Sequence, residues 1–158
     1  MIKAEELRIG NLLELGSEIL TVISIQGAGG WTEKFGAEGD DVFPSEEEYD
    51  KIEGIALTEK WLKRLGFDTV DYEYDFIEWA KEETELDFSI NQIGIPPENQ
   101  PFIFTYDTGM GDRNREVQYV HQLQNLYFAL TGSELIDLSK THPFSPVPPP
   151  SSPHPDAQ

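Results

Sequence analysis

Residues 117–131 read VQYVHQLQNLYFALT, and this stretch sets how the C-terminal half of the chain packs. Its apolar residues recur every three or four positions and Gly132 follows directly, so the sequence predicts a helix over residues 117–131. The stretch contains no charged residue, although 26% of the chain is charged. A helix with so wide an apolar arc is expected to pack against other elements of the fold.

The polar residues of this predicted helix form a single stripe. Gln118, His121, Gln122 and Asn125 are three or four positions apart, which makes them neighbours on a helix surface. The stripe is predicted either to form a buried hydrogen-bond network or to contact a ligand or partner protein. We favour the network, because buried polar groups are nearly always hydrogen-bonded. Burial would also lower the pKa of His121, because it disfavours the cation.

Two upstream stretches carry clear local signals. Residues 18–26 read EILTVISIQ, which favours a strand, and the apolar residues on both of its faces predict a central position in a sheet. Residues 58–65 read TEKWLKRL and predict a short helix, with Thr58 as N-cap and Gly66 at the left-handed C-terminal position. Further strands are predicted at residues 11–15, 51–57, 72–80, 85–93 and 102–106.

These elements predict an α+β fold. We expect a small N-terminal barrel-like β unit, for which an SH3-like arrangement is one option, then a short helix, an antiparallel sheet and a C-terminal packing helix. Residues 1–138 would form a single domain, with an acidic, solvent-exposed insertion at about residues 31–50. Residues 139–158 contain seven of the 11 prolines and are predicted to form a disordered tail, because proline supports neither helix nor sheet.

The charge of the chain limits its partners. It has 11 Lys and Arg against 30 Asp and Glu, a net charge of -19 at pH 7. Such a chain repels phosphate, so we predict no direct binding to nucleic acid or to anionic membrane. It has no cysteine, which excludes disulfides and thiol catalysis. Without an apolar run long enough for a membrane span or a signal peptide, the predicted location is the cytoplasm.

The motifs for catalysis and metal binding are weak. Asp107-Thr108-Gly109 follows an apolar strand, as in the active-site turn of aspartic proteases, where two aspartates share a proton. One copy of the motif would require a homodimer, and a plain turn explains the same residues better. The acidic runs lack the EF-hand spacing, and the three histidines do not have zinc-ligand spacing. We therefore predict no metal site and no cofactor, with Asp107 as the one weak catalytic candidate.

Three segments carry a resemblance to a known family. They are ELRIGN at residues 6–11, the Leu-Thr, Trp-Leu and Leu-Gly-Phe groups within residues 57–67, and YVHQLQNLYFALTG at residues 119–132, followed by Glu134 and Leu135. Together they resemble a family of small uncharacterised proteins of bacteria, prophages and bacteriophages. The resemblance implies one domain and a phage-linked origin, and it implies no activity, cofactor or partner.

Three functions are compatible with these observations. The first is a non-enzymatic, phage-derived accessory protein that binds a host protein or a small ligand. The second is an acidic decoy that mimics nucleic acid and occupies the basic surface of a host protein. The third is a small dimeric aspartyl hydrolase that acts through Asp107. We rank them in that order, since the charge and the Asp107 motif are each non-specific signals.

Overall fold

The computed structural model describes residue 2 and residues 4–26, 34–39, 44–45, 47–81 and 88–140. Over these residues the chain consists mostly of strands, in two antiparallel sheets, with a helix near the C-terminal end of the described chain. The predicted mixed class is therefore confirmed. None of the described helices is long and apolar enough to cross a membrane.

The first sheet contains four strands. They are β1 (Leu12–Leu15), β2 (Glu18–Gln26), β3 (Lys34–Glu38) and β4 (Glu53–Gly54), in the order β3-β2-β1-β4, and all three pairings are antiparallel. Strand β2 has the predicted bounds and lies between β3 and β1. Its predicted central position is confirmed, because both of its edges are hydrogen-bonded.

The structure bears on two expectations for this region. The sheet is open, with β3 and β4 at its edges, so the described residues form no closed barrel and the barrel-like, SH3-like unit is not confirmed. The stretch predicted as an acidic insertion over residues 31–50 contributes β3 to the sheet. The sequence of β3, KFGAE, has no strong strand pattern, so its pairing with β2 could not be read from local propensity.

The second sheet is a meander of five strands in chain order. They are β5 (Asp68–Glu73), β6 (Phe76–Ala80), β7 (Phe88–Ile93), β8 (Phe102–Asp107) and β9 (Asp112–Val117). Each strand is antiparallel to the next. The prediction of an antiparallel sheet in this part of the chain is therefore confirmed.

Two details of this sheet differ from the sequence interpretation. The strand predicted at residues 72–80 is a hairpin, in which Tyr74 and Asp75 form the turn between β5 and β6. Strand β9 was not predicted, because five of its six residues are exposed and only Val117 is buried. A strand with so few buried residues shows no alternation of apolar and polar positions.

The described residues form two α-helices, α1 (Glu59–Arg64) and α2 (Val120–Thr131). The predicted ends of α1 are confirmed: the Thr58 hydroxyl accepts a hydrogen bond from the Trp61 amide at 3.3 Å, and Gly66 has a φ of +86°.

Helix α2 begins three residues later than predicted. Val117 ends β9, Tyr119 pairs with Ala56 in an isolated bridge, and the Val120 amide donates to the Ile55 carbonyl at 2.9 Å. These contacts with the segment after β4 hold residues 117–119 extended. Because they join residues more than 60 positions apart, the local helical periodicity of the sequence could not reveal them.

The core has two parts. The larger part packs both helices against one face of the second sheet and includes Phe67, Trp79, Phe104 and Leu123, each no more than 1% exposed. A smaller cluster packs on the first sheet and consists of Leu7, Leu13, Leu20, Val22 and Ile52. The neighbouring residues Leu12 and Leu13 belong to different clusters, because successive side chains of a strand point to opposite faces.

The described chain continues two residues beyond the predicted domain end. A 3-10 helix spans Leu138–Lys140, and the Ser139 amide and hydroxyl both donate to the Asp137 carboxylate, at 3.0 and 2.7 Å. Arg64 of α1 also donates to this carboxylate, which anchors the chain after α2. Of the Pro-rich tail predicted for residues 139–158, residues 141–158 lie outside the described chain.

Candidate functional site

The predicted polar stripe does not lie on one helix face. Gln118 lies between β9 and α2, is exposed, and donates from its side-chain amide to the Glu116 carboxylate at 2.8 Å. Gln122 caps the helix, since its side-chain oxygen accepts hydrogen bonds from the Gln118 and Tyr119 amides at 2.9 and 3.2 Å. Such a cap satisfies backbone donors that the first turn leaves unpaired.

Asn125 belongs to a polar network, as the favoured interpretation predicted. Its side-chain nitrogen donates to the Glu6 carbonyl at 2.8 Å, and its oxygen accepts from the Asn11 side chain at 2.9 Å. Asn11 lies just before β1 and is 1% exposed. The contact therefore ties the N-terminal segment of the chain to α2.

The centre of this network is Gln124, which the sequence interpretation missed. Its side-chain oxygen accepts from the Leu12 amide at 2.9 Å, and its nitrogen donates to the carbonyls of Leu135 and Gly10 at 3.1 and 3.3 Å. The sequence contained one signal for this role: on the predicted helix, Gln124 lies within the apolar arc and not on the polar stripe. Gln124 thereby satisfies three backbone groups, two at residues 10–12 and one just after α2.

His121 is buried, as predicted, but it takes no part in this network. It is 1% exposed, and neither ring nitrogen has a hydrogen-bond partner among the described residues. The Tyr119 ring stacks on the imidazole with a centroid distance of 5.6 Å and an interplanar angle of 16°. Burial lowers the pKa of His121 below 6.5, and the nearby Glu6 carboxylate, which acts to raise it, only partly opposes this effect.

A pocket of about 220 Å³ lies beside His121. We call it the His121 pocket, and its lining residues are Ile2, Glu6, Glu53, Gly54, Tyr119 and His121. A Cβ atom at Gly54 would lie 2.9 Å from Tyr119 Cδ1 and 3.0 Å from His121 Cε1. Any other residue at this position would therefore push against the Tyr119 and His121 rings.

A second pocket, of about 390 Å³, lies between β9 and α2. It is lined by Arg115, Glu116, Gln122, Asn125 and Leu126, so it contains two of the four stripe residues. Gln122 and Asn125 already use their side chains in the helix cap and the network. The fold alone therefore explains why Gln122 and Asn125 lie in this pocket.

Strand β5 forms a different kind of surface. All six of its residues are exposed, and within the described chain it is an edge strand, paired only with β6. We call residues 68–75 the acidic edge. It has four carboxylates, and its Val70, Tyr72 and Tyr74 side chains are 57%, 62% and 79% exposed. The carboxylates belong to Asp68, Asp71, Glu73 and Asp75.

One tyrosine of the acidic edge is held in place. The Tyr72 hydroxyl donates to the Glu98 carboxylate, which comes from the loop between β7 and β8. This hydrogen bond raises the pKa of Tyr72 and lowers the pKa of Glu98. Glu98 thereby adds a further negative charge beside the edge.

Asp107 lies at the end of β8, in the turn to β9. It is exposed, and its carboxylate accepts a hydrogen bond from the Gly109 amide at 2.7 Å. Gly109 and Gly111 have φ values of +76° and +113°, which glycine adopts more readily than any other residue. The motif therefore serves as a turn. The turn joins β8 to β9.

Within the described ranges, no three His, Asp or Glu side chains are grouped so as to hold a metal ion. The chain matches no protein-family model, no curated protein and no solved structure.

Proposed function

We propose that the protein is a non-enzymatic, phage-derived accessory protein that binds a basic partner protein through the acidic edge. The observation that carries the proposal is the composition of β5, an exposed edge strand whose carboxylates alternate with large apolar side chains. None of the four carboxylates of the acidic edge forms an ion pair with the described residues. A cytoplasmic location, expected from the sequence, is part of the same proposal.

An edge strand offers backbone hydrogen-bonding groups to a further strand. Extended segments of partner proteins bind such edges by strand addition, in which the backbone supplies affinity and alternate side chains supply specificity. Tyr72 and Tyr74 provide large contact surfaces of the kind that dominate interface energies. The negative field of the chain would accelerate the approach of a basic partner.

The same charges disfavour other occupants of the edge. A second copy of β5 would place carboxylates opposite carboxylates, which is destabilising in a strand pair. Charged side chains and bulges protect natural edge strands from self-association, and β5 has a bulge between Thr69 and Asp71. The edge therefore selects a basic strand over a copy of itself.

A basic peptide of alternating lysine and valine is a direct test. We expect it to bind in low salt, with shifts of the β5 amide resonances, and to bind at least about tenfold more weakly to an Asp71→Asn/Glu73→Gln variant. A Glu18→Gln/Glu47→Gln variant is the matched control, since it removes two exposed carboxylates elsewhere. Equal weakening by both variants, or binding without shifts in β5, would contradict the proposal.

The nucleic-acid-mimicking decoy is the second candidate function, and the spacing of charges on β5 favours it. Asp71 and Glu73 lie two positions apart on one strand, so about 7 Å separates them, and Asp75 follows in the turn. Such a row of charge resembles a phosphate backbone. Under this alternative, duplex DNA would displace a partner captured at low salt, and partner binding would fall steeply with salt. A partner that binds DNA and this protein simultaneously would rule the decoy out.

The hydrolase alternative stays a prediction of the sequence. Asp107 uses its carboxylate in a turn hydrogen bond on an exposed hairpin. We expect Asp107→Asn to leave partner binding unchanged, measured with the same peptide. Loss of function in a folded Asp107→Asn variant would restore the hydrolase hypothesis.

A further inference from the structure

The His121 pocket combines features that the acidic edge lacks. His121 is 1% exposed and is the second residue of α2, and both of its nitrogens lack hydrogen-bond partners among the described residues. A neutral imidazole has one donor and one acceptor nitrogen. A buried polar group without a partner is costly, and such a group beside a cavity indicates a ligand that supplies the missing contact.

The walls of the pocket specify the charge of that ligand. Glu6 and Glu53 are exposed carboxylates on different segments of the chain, and neither forms an ion pair with a described residue. Glu53 lies opposite Glu14 in the pairing of β1 with β4, which adds a third negative charge nearby. An anionic ligand would be repelled, and a cationic ligand would be attracted from both sides.

The aromatic wall specifies the kind of cation. Tyr119 is 37% exposed, and its ring stacks on the imidazole and forms one side of the pocket. The faces of tyrosine rings attract ammonium and guanidinium groups. In the described residues no three acidic or histidine side chains are grouped to hold a metal ion, so an organic cation fits the pocket better than an inorganic one.

We propose that the His121 pocket binds an alkylammonium or guanidinium group. The cation lies between the Glu6 and Glu53 carboxylates against the Tyr119 ring, and one of its N–H groups donates to the unprotonated nitrogen of His121. Because both nitrogens are covered, the Tyr119 ring must shift to admit this contact. Such a group belongs either to a lysine or arginine side chain of a partner protein or to a free small molecule.

Gly54 allows the β4 segment to lie directly against the Tyr119 and His121 rings. The contacts of the Leu57 amide with the Gln118 carbonyl at 2.8 Å, and of the Val120 amide with the Ile55 carbonyl at 2.9 Å, hold the β4 segment against the start of α2. At this close approach, an added Cβ would contact Tyr119 and His121. Gly54→Ala is therefore expected to displace the two rings and disturb the site without changing its charge.

The test uses the full chain, n-butylammonium and N-acetyl-lysine methylamide as probes, and n-butanol as the neutral analogue. The His121 ring protons are followed by NMR at pH 7 during titration. We expect saturable shifts with both cations and none with butanol. We also expect at least about tenfold weaker binding to Glu6→Gln/Glu53→Gln, and a loss of binding in Gly54→Ala. Glu18→Gln/Glu47→Gln is the matched charge control and should bind within about twofold of the wild type.

The two sources of the cation give different results in the same experiment. Tighter binding of the lysine derivative indicates a partner side chain, and tighter binding of butylammonium indicates a free amine. Equal shifts with butanol, or equal weakening in the control variant, would overturn the proposal. So would the absence of any shift in a folded protein. Asp71→Asn/Glu73→Gln should leave these titrations unchanged, so failure at this pocket is distinguishable from failure at the acidic edge.

Discussion

Gln124 and His121 lie three positions apart on α2 and are almost equally buried, with 2% and 1% of their surfaces exposed. Gln124 has hydrogen bonds to backbone groups of Leu12, Leu135 and Gly10, whereas His121 has none to any described residue. Burial alone therefore does not distinguish a structural polar residue from one available to a ligand. The hydrogen-bond partners make that distinction, because a side chain that satisfies the backbone is required by the fold.

The largest effect on stability is expected from substitution of Gln124, the residue whose hydrogen bonds the fold requires. Gln124→Leu keeps a similar volume but leaves the Leu12 amide and the Leu135 and Gly10 carbonyls without their partner. We expect it to lower the free energy of unfolding by about 3 kcal/mol, measured by urea denaturation. A change of less than about 1 kcal/mol would show that water replaces the glutamine and that the network is not structural.

A smaller effect is expected at the exposed side of the same network. Asn125→Ala removes the hydrogen bonds with Glu6 and Asn11, and Asn125 is only half-buried, so water can reach its partners. We expect a loss of about 1 kcal/mol in the same measurement. Ala129 is exposed on the same helix, and Ala129→Ser serves as the control, with a change of no more than about 0.5 kcal/mol.

The pH dependence of stability should reveal His121. Burial lowers its pKa in the folded protein, so the unfolded chain takes up a proton first as the pH falls through about 6.5. Wild-type stability should therefore decline from pH 7 to pH 5 relative to His121→Leu. The pKa of Asp137 is also lowered, because hydrogen bonds from Arg64 and Ser139 outweigh the opposing effect of burial. That contribution is lost at lower pH in both proteins and cancels. Parallel pH profiles would contradict the burial of a neutral imidazole.

At pH 7 the substitution His121→Leu should have little effect. The sequence alone favoured a network around His121, in which its removal would leave neighbours unpaired. The structure shows no such neighbours among the described residues, so we expect a change within about 1 kcal/mol, in either direction. A loss comparable to that of Gln124→Leu would mean that His121 has a structural partner.

The smallest effect is expected from truncation after Lys140. The composition of residues 141–158 provides few apolar residues for a core, so the melting temperature should change by less than about 2 °C. The truncation keeps Ser139, whose hydrogen bonds with Asp137 belong to the domain. A decrease of several degrees would show that the proline-rich residues pack against the domain.

The sequence predicted the elements whose signals are local. The limits of α1 followed from Thr58 and Gly66, and the central position of β2 followed from apolar residues on both of its faces. Strands β3 and β9, which both lie at sheet edges, were missed. Five of the six residues of β9 are exposed, so its sequence shows no pattern of burial. The burial of His121 was predicted from its place on a polar stripe without charged residues, yet its lack of partners was not.

For this protein the order of residues fixed the mixed class, the apolar side of α2 and the net charge, since each depends on composition or on spacing within a few positions. The start of α2, the partners of Gln124 and the pocket beside His121 depend on contacts between segments such as residues 6–12, 53–57 and 118–125. Such contacts form only when the chain is folded. A sequence pattern records which side chains are buried together in one element, but it does not record which distant backbone groups they meet.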